Sequence, residues 1–264
     1  MHPTNGKIDS LWRHPIKGFT PERVVETCLT ADSFFPFDRL FALEVGPSGY
    51  DREDPKFLSK MKYAVLARFP AVARLRTRYD EIAERLFIED RAFDIGQPAG
   101  RHALERHVET LLAAYEDYDP VAQPLRFLDI RDGAVDHYRF TDSAKGFVSI
   151  LNLESLRDLG QRLGRDLDPL RLRANIWVEG WTAFEDHVWV GKHIRIGDHG
   201  PVLEVLKPIV RCVATHVNPD TAERDVEIVQ ALWEHYGHRD CGIYCRVVSP
   251  GLIRGGDAVD PQVT

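Results

Sequence analysis

The sequence predicts a β-rich, mixed α/β chain built as two units. Short apolar runs bounded by glycine, proline and aspartate recur along most of its length. Three stretches instead carry the three-and-four spacing of an amphipathic helix. The polar run Asp117-Tyr118-Asp119-Pro120 ends the first of these helices, so it is taken as the boundary between a domain over 5–119 and one over 120–264.

Taken in order, residues 7–13 form the first strand, broken by His14-Pro15. The turn Ile16-Lys17-Gly18-Phe19 then presents a lysine, and 24–29 follow as a strand with Cys28 in the core. Residues 37–43 read as a third strand opening on Asp38-Arg39, and Gly46-Pro47-Ser48-Gly49 is a strong turn signal. Short strands are expected at 72–78 and 85–89. Residues 103–115 make the first helix, with Leu104, Val108, Leu111, Leu112 and Tyr115 on one stripe. After a short strand at 127–130, Asn152 is placed to cap a helix over 153–163, with Gly164 just past its end. An extended stretch over 171–178 puts Arg173 and Asn175, two apart, on one face. Residues 202–206 alternate as a strand that Pro208 should end. A polar loop leads to the third helix, 226–236, closed by Gly237, and the tail returns to strands from Cys241 to Val259.

At 264 residues the chain can bury a full core, and its net charge of −7 gives no support to a nucleic-acid partner. It has no run of 18 apolar residues, and Met1-His2-Pro3-Thr4-Asn5-Gly6 does not read as a signal peptide. A cytoplasmic protein without a membrane partner is therefore expected. The four cysteines, at 28, 212, 241 and 245, read as free thiols or ligands. Cys241 and Cys245 on one strand would stand roughly 13 Å apart, too far for a disulfide.

Cys212 follows the strand at 202–206, with Arg211 beside it and Lys207 nearby. Cationic neighbours favour thiolate, the form that ligates soft metals, although a lone cysteine among apolar residues is also an ordinary small hydrophobe. His216, four residues on, would share the Cys212 face of a strand, as a proton donor near a metal or as a packed histidine. A second cluster, His235-x-x-His238-x-x-Cys241-x-x-x-Cys245, offers zinc ligands, but its geometry is poor because His235 ends a helix while Cys245 sits in a strand.

Lys207-Pro208-x-x-Arg211-Cys212, followed by Thr215 and Asn218-Pro219-Asp220, resembles the cofactor-cysteine segment of the MOSC domain family. That family is named for the molybdenum cofactor sulfurase C-terminal domain, and its two-domain type includes the mitochondrial amidoxime-reducing component. Other segments fit the same pattern: His14-Pro15-Ile16-Lys17-Gly18, Asp38-Arg39, Arg173-Ala174-Asn175-Ile176 and Gly256-Asp257-Ala258-Val259. Gly18 stands where the family carries serine, and Cys241 and Cys245 stand where it carries aromatics.

The resemblance implies a MOSC-type β-barrel with peripheral helices, a small β-rich N-terminal domain, and a cofactor in the cleft between them. It implies Mo-molybdopterin as that cofactor, with no need of pyridoxal phosphate. Lys17, Arg39, Arg173, Asn175, Arg211 and Cys212 would bind it, guanidinium suiting phosphate and amide suiting a pterin edge. Cys212 would be the metal ligand and catalytic centre. The implied reaction is reduction of N-hydroxylated or N-oxide small molecules by oxygen-atom transfer at the metal. The alternative is a cofactor carrier or sulfur-transfer protein with no turnover of its own. With no Cys-x4-Cys-x2-Cys run and no Gly-x-Gly-x-x-Gly after a strand, a separate ferredoxin-like or flavoprotein donor would have to supply electrons.

Overall fold

The computed structural model describes residues 5–133, 138–144 and 147–262. Met1 to Thr4, on which the signal-peptide reading partly rests, lie outside the described residues, as do Val263 and Thr264 at the end of the expected second domain.

The strands and helices run in chain order as β1 (Gly6–Arg13), β2 (Glu22–Val24), β3 (Glu26–Leu29), β4 (Phe41–Val45), β5 (Thr77–Asp80), β6 (Arg85–Ile88), β7 (Arg91–Asp94) and α1 (Pro98–Tyr115). There follow β8 (Leu125–Asp129), β9 (Val148–Asn152), α2 (Leu153–Leu163), β10 (Ile176–Glu179), β11 (His193–Ile196) and β12 (Val202–Val210). The chain closes with α3 (Ile228–Tyr236), β13 (Asp240–Ser249), β14 (Gly251–Arg254) and β15 (Ala258–Gln262).

Seven strands close into a barrel in the order β10-β9-β13-β12-β11-β15-β1, with β1 returning to β10 and β2 appended to β1. The inward positions are dominated by β-branched residues, among them Ile8, Val148, Ile150, Ile176, Val205 and Ile243. Such side chains fit a pleated, enclosed surface. On the outside of the barrel, α2 and α3 cover Leu151, Trp177 and Cys241 with Leu156, Leu159 and Leu232. The helix over 153–163 appears as expected: the Asn152 side chain accepts from the Glu154 amide, and Gly164 takes φ 65° at its end.

A second lobe holds the antiparallel pair β4–β8, the three-stranded sheet β5-β6-β7 and α1. Phe41, Tyr63, Leu86, Leu104, Val108 and Phe127 are among its core residues. Because β8 pairs with β4, and β1 is a stave of the barrel, sheet pairing does not divide the chain at 119–120. The N-terminal strand belongs to the C-terminal barrel, and the first lobe runs on through Phe140.

Several local expectations are corrected. Residues 70–74 form a 3-10 turn in place of a strand start, because Pro70 sets the first turn. Cys28 is exposed instead of buried: it lies on β3 of the two-stranded β3–β14 ribbon, and the buried position of β3 is Leu29. Pro208 does not end β12, which pairs with β13 through Val210. β11 pairs with β12 only as far as Glu204, so Pro208 sits where β12 has one open side and a missing N–H is tolerated. Arg173 is not in a strand at all. It ends the 3-10 turn Pro169–Leu172 in a left-handed conformation, φ 52°, and therefore shares no strand face with Asn175. The segment after Cys212 is likewise a 3-10 turn, Val213–His216.

Candidate functional site

β12 delivers Arg211 and Cys212 to the junction of the two lobes. Arg211 turns inward, its Nε donating to the Cys241 carbonyl at 2.7 Å and its Nη1 to the Leu172 carbonyl at 2.6 Å, with Nη2 also on Cys241. Gly242 makes that fit possible. At φ 79°, a Cβ there would stand 2.5 Å from the Ile150 carbonyl and 3.1 Å from Arg211 Nη2. Burial lowers the Arg211 pKa, and the carbonyl bonds hold the guanidinium in place. Cys212, half-buried, opens the 3-10 turn, where its carbonyl accepts from the Thr215 hydroxyl at 2.8 Å.

Cys212, Arg39, Lys60, Arg173, Lys207 and Tyr244 are among the residues lining one cavity of about 190 Å³. Arg39 is in a left-handed turn, φ 50°, and is ion-paired with Asp38 while its Nη2 donates to the Arg173 carbonyl at 3.2 Å. Arg173 Nη1 donates to the Phe19 carbonyl at 2.7 Å. Burial, and then the nearby Arg39 charge, push the Arg173 pKa down to about 10. A smaller cavity of about 40 Å³ shares Arg39, Lys60, Asp142 and Arg173 and adds Lys17. Lys17 Nζ donates to the Phe140 carbonyl at 2.9 Å and the Thr141 carbonyl at 3.3 Å, and pairs with Asp142. Burial lowers the Lys17 pKa although Asp142 opposes it.

Of the residues singled out in the sequence, Arg39, Arg173, Arg211 and Cys212 thus meet at one cavity and Lys17 lies in the next. Asn175 does not line either. Its Oδ1 accepts from the Ser149 amide at 3.1 Å and hydroxyl at 2.7 Å, and its Nδ2 donates to the Trp12 carbonyl at 3.2 Å. It braces β9 against β1, and Ser149 reaches the cavity in its stead. Sequence patterns gave no sign of Lys60 or Asp142. Tyr244 stood in view within the Cys241–Cys245 segment but carried no signal of its own.

The zinc alternative finds no geometry. No group of three or more His, Cys, Asp or Glu among the described residues could hold a metal ion. The left-handed Gly242 reverses the strand's alternation, so Cys241 lies in the helix-covered core and Cys245 in the barrel core. Burial pushes the Cys241 thiol up to about 12 and raises that of Cys245 as well. His216 does not share a strand face with Cys212: its Nε2 accepts from the Val229 amide at 3.3 Å, a packed histidine at the start of α3.

Among the described residues, seven cations line the two cavities: Lys17, Arg39, Lys60, Arg171, Arg173, Lys207 and Arg211. Asp142 is the one carboxylate among the described residues that lines them, while Asp38 and Asp225 pair Arg39 and Arg171 from behind. Four positive charges remain in excess. The Nε of buried Arg171 has no partner among the described residues. In a protein of net charge −7, this is a site built for an anion beside a thiol.

Two family models match the chain: the MOSC N-terminal beta barrel domain over residues 5–136 and the MOSC domain over residues 137–260. The chain belongs to the MOSC family. Mitochondrial amidoxime reducing component 2 of Bos taurus is 31% identical over 132 residues, which cover 44% of this MOSC chain and 37% of that relative. Among solved structures, the YuaD protein of Bacillus subtilis aligns over 97% of this chain and 94% of its own at 14% identity, with a TM-score of 0.44. YiiM of Geobacillus stearothermophilus aligns over 45% of this chain and 55% of its own at 22% identity, with a TM-score of 0.34. Likenesses this slight say nothing about activity. No helix among the described residues is long and apolar enough to cross a membrane.

Behind the site of this MOSC chain, His14 is fully buried. Its backbone amide donates to Asp38 Oδ1 at 2.7 Å and its Nδ1 lies 3.2 Å from the same oxygen, which leaves Nε2 without a partner among the described residues. Burial, with the Arg39 and Arg173 charges, pushes the His14 pKa down to about 3 although Asp38 opposes this. The unfolded chain therefore takes up a proton near pH 6.5 that the folded chain refuses, and stability falls as pH drops from 6.5 towards 3. Asp186, raised to about 6 by burial, works in the opposite sense. Comparing wild type with His14→Gln isolates the histidine. The stability lost between pH 7 and pH 5 in urea melts should be smaller in the variant by roughly 2 kcal/mol. Equal losses would mean that His14 titrates normally.

Proposed function

We propose that this MOSC chain holds a molybdenum cofactor between its lobes and reduces N-hydroxylated or N-oxide small molecules. The observation that carries the reading is an excess of four positive charges converging on one half-buried thiol, Cys212. A molybdopterin is anionic at its phosphate and its dithiolene, and molybdenum takes soft thiolate ligands. The chemistry of the donor set fits that group. Arg39, Arg173 and Arg171, which line the cavity, would take the anionic parts, and the Cys212 sulfur would be the protein's metal ligand. The name of the bovine relative, an amidoxime reducing component, supports the substrate class.

When bound, the cofactor supplies two-electron oxygen-atom transfer; the chain's own residues bind, orient and enclose. Arg211 fixes the turn that presents Cys212 through its bonds to Cys241 and Leu172. Asn175 locks β9 and β1, from which the cavity wall at Ser149 is built. For an N-hydroxy substrate the N–O bond breaks, two electrons and two protons enter, and amine and water leave. An iron–sulfur or flavin protein would deliver the electrons.

Purified, cofactor-loaded protein given a reduced viologen and an N-hydroxylated amidine tests this. Steady formation of the amidine, with oxidation of two viologen radicals per product, is the expected result. A loaded protein that turns nothing over, yet passes its cofactor to an acceptor protein, is a carrier.

A further inference from the structure

One cation of this site arrives from outside every motif. Lys60 lies on the 3-10 turn Lys60–Lys62 of the first lobe, whose start is capped by the Ser59 side chain. The next residues, Ala64 and Val65, pack directly on Gly18, which anchors the turn against the segment carrying Lys17. Lys60 is half-buried and lines both cavities. Burial works against its charge, but the Cys212 sulfur and then Asp142 more than restore it.

Three of the other cations around it are held by acceptors. Lys17 has three acceptors, Arg211 is spent on two carbonyls, and Arg39 is paired with Asp38. Asp142, the carboxylate nearest to hand, is already held by Lys17. Among the described residues, Lys60 thus faces Cys212 from the opposite lobe without a paired carboxylate, and its ammonium is not spent on backbone carbonyls.

We propose that Lys60 is a ligand-facing residue: it draws a negatively charged or negatively polarised oxygen to Cys212 and hydrogen-bonds it there. For the identity of that oxygen the inference rests on the functional reading above, in which it is the N–O oxygen of the substrate. As the N–O bond breaks, the oxygen gains negative charge before it leaves as water. Electrons come from the donor protein and protons from solvent, and the Lys60 ammonium stabilises the charge without being consumed. Substrates whose oxygen carries full negative charge, N-oxides above all, gain most from this arrangement.

The charge at the sulfur is read without any cofactor. Full-length protein from cells unable to make the cofactor is alkylated at one pH with anionic iodoacetate or neutral iodoacetamide, and each cysteine is followed by peptide mapping. The ratio of the two rates at one thiol cancels its thiolate fraction and its accessibility, leaving the local charge. Exposed Cys28 is the internal reference. Lys60→Met should lower the ratio at Cys212 by about fivefold or more, as expected for a cation a few ångströms away in a half-buried site. Lys60→Arg should keep it, and Lys62→Met, on the exposed side of the same turn, should not change it. In the loaded protein, Lys60→Met should lower kcat more than it raises KM, with recovery in Lys60→Arg. An unchanged ratio at Cys212 in Lys60→Met overturns the proposal. If wild type reduces no N-hydroxy or N-oxide compound while the ratio still depends on Lys60, the functional reading falls and the oxygen-drawing role stands.

Discussion

Cys212→Ser should abolish turnover while leaving the fold intact. In the folded protein it is the backbone carbonyl of Cys212, not its sulfur, that takes the Thr215 amide and hydroxyl, so the turn Val213–His216 survives the exchange. A serine hydroxyl is close in size but is a hard, protonated oxygen at neutral pH, a poor replacement for thiolate at a soft metal. The loss of rate should exceed about a thousandfold, which corresponds to about 4 kcal/mol of barrier. The thermal midpoint should stay within about a degree, as for a substitution that opens no cavity in the core. Viologen-driven turnover and a thermal melt of the same preparation check both halves. Activity within tenfold of wild type would remove Cys212 from the centre of the reaction.

Gly18→Ala should produce a large stability loss for a single methyl group added near the site. Gly18 has φ 90°, and a Cβ there would stand 2.7 Å from the Val65 Cα and 2.8 Å from the Ala64 carbonyl oxygen. Neither contact is the end of a flexible side chain, so the backbone of 64–65 has to move. A left-handed residue with a side chain and an overpacked contact together cost about 3 kcal/mol. For a chain of this size that is a fall in Tm of roughly 6–12 °C. The same shift should loosen the cofactor, because Gly18 sits between Lys17 and Phe19, whose carbonyl receives Arg173. A variant as stable as wild type in thermal and urea melts would mean that the segment at 64–65 yields freely.

The helices were legible because they depend on local pattern, whereas the barrel came in only through the resemblance to the MOSC family. The α2 stripe, its Asn152 cap and Gly164 are all written within a dozen residues, and the structure keeps them. What depended on pairing was not legible. Nothing in Gly6–Arg13 says that it closes a barrel with strands more than 160 residues away. Pro208 carries a local stop signal that the open side of β12 makes harmless.

The site shows the same division. Cys212 and Arg211 stood out through adjacent residues, and family segments picked out Lys17, Arg39 and Arg173. The left-handed turns that aim Arg39 and Arg173 into the cavity have no marker in the sequence, since neither is glycine. Asn175 looked like a ligand because its amide suits one, yet its bonds to Ser149 and Trp12 keep that amide out of the lining of both cavities. Lys60 could not be found from sequence at all, because what distinguishes it is a neighbour across the lobe junction.

Metal and pterin analysis of freshly isolated protein, before any dialysis, tests the central claim most directly. Protein made with molybdate available should carry about one molybdenum and one molybdopterin per chain, as a single-thiolate site implies. Cys212→Ser isolated alongside should have lost the metal. Stoichiometric zinc, or wild-type protein free of both molybdenum and pterin under those conditions, would contradict it.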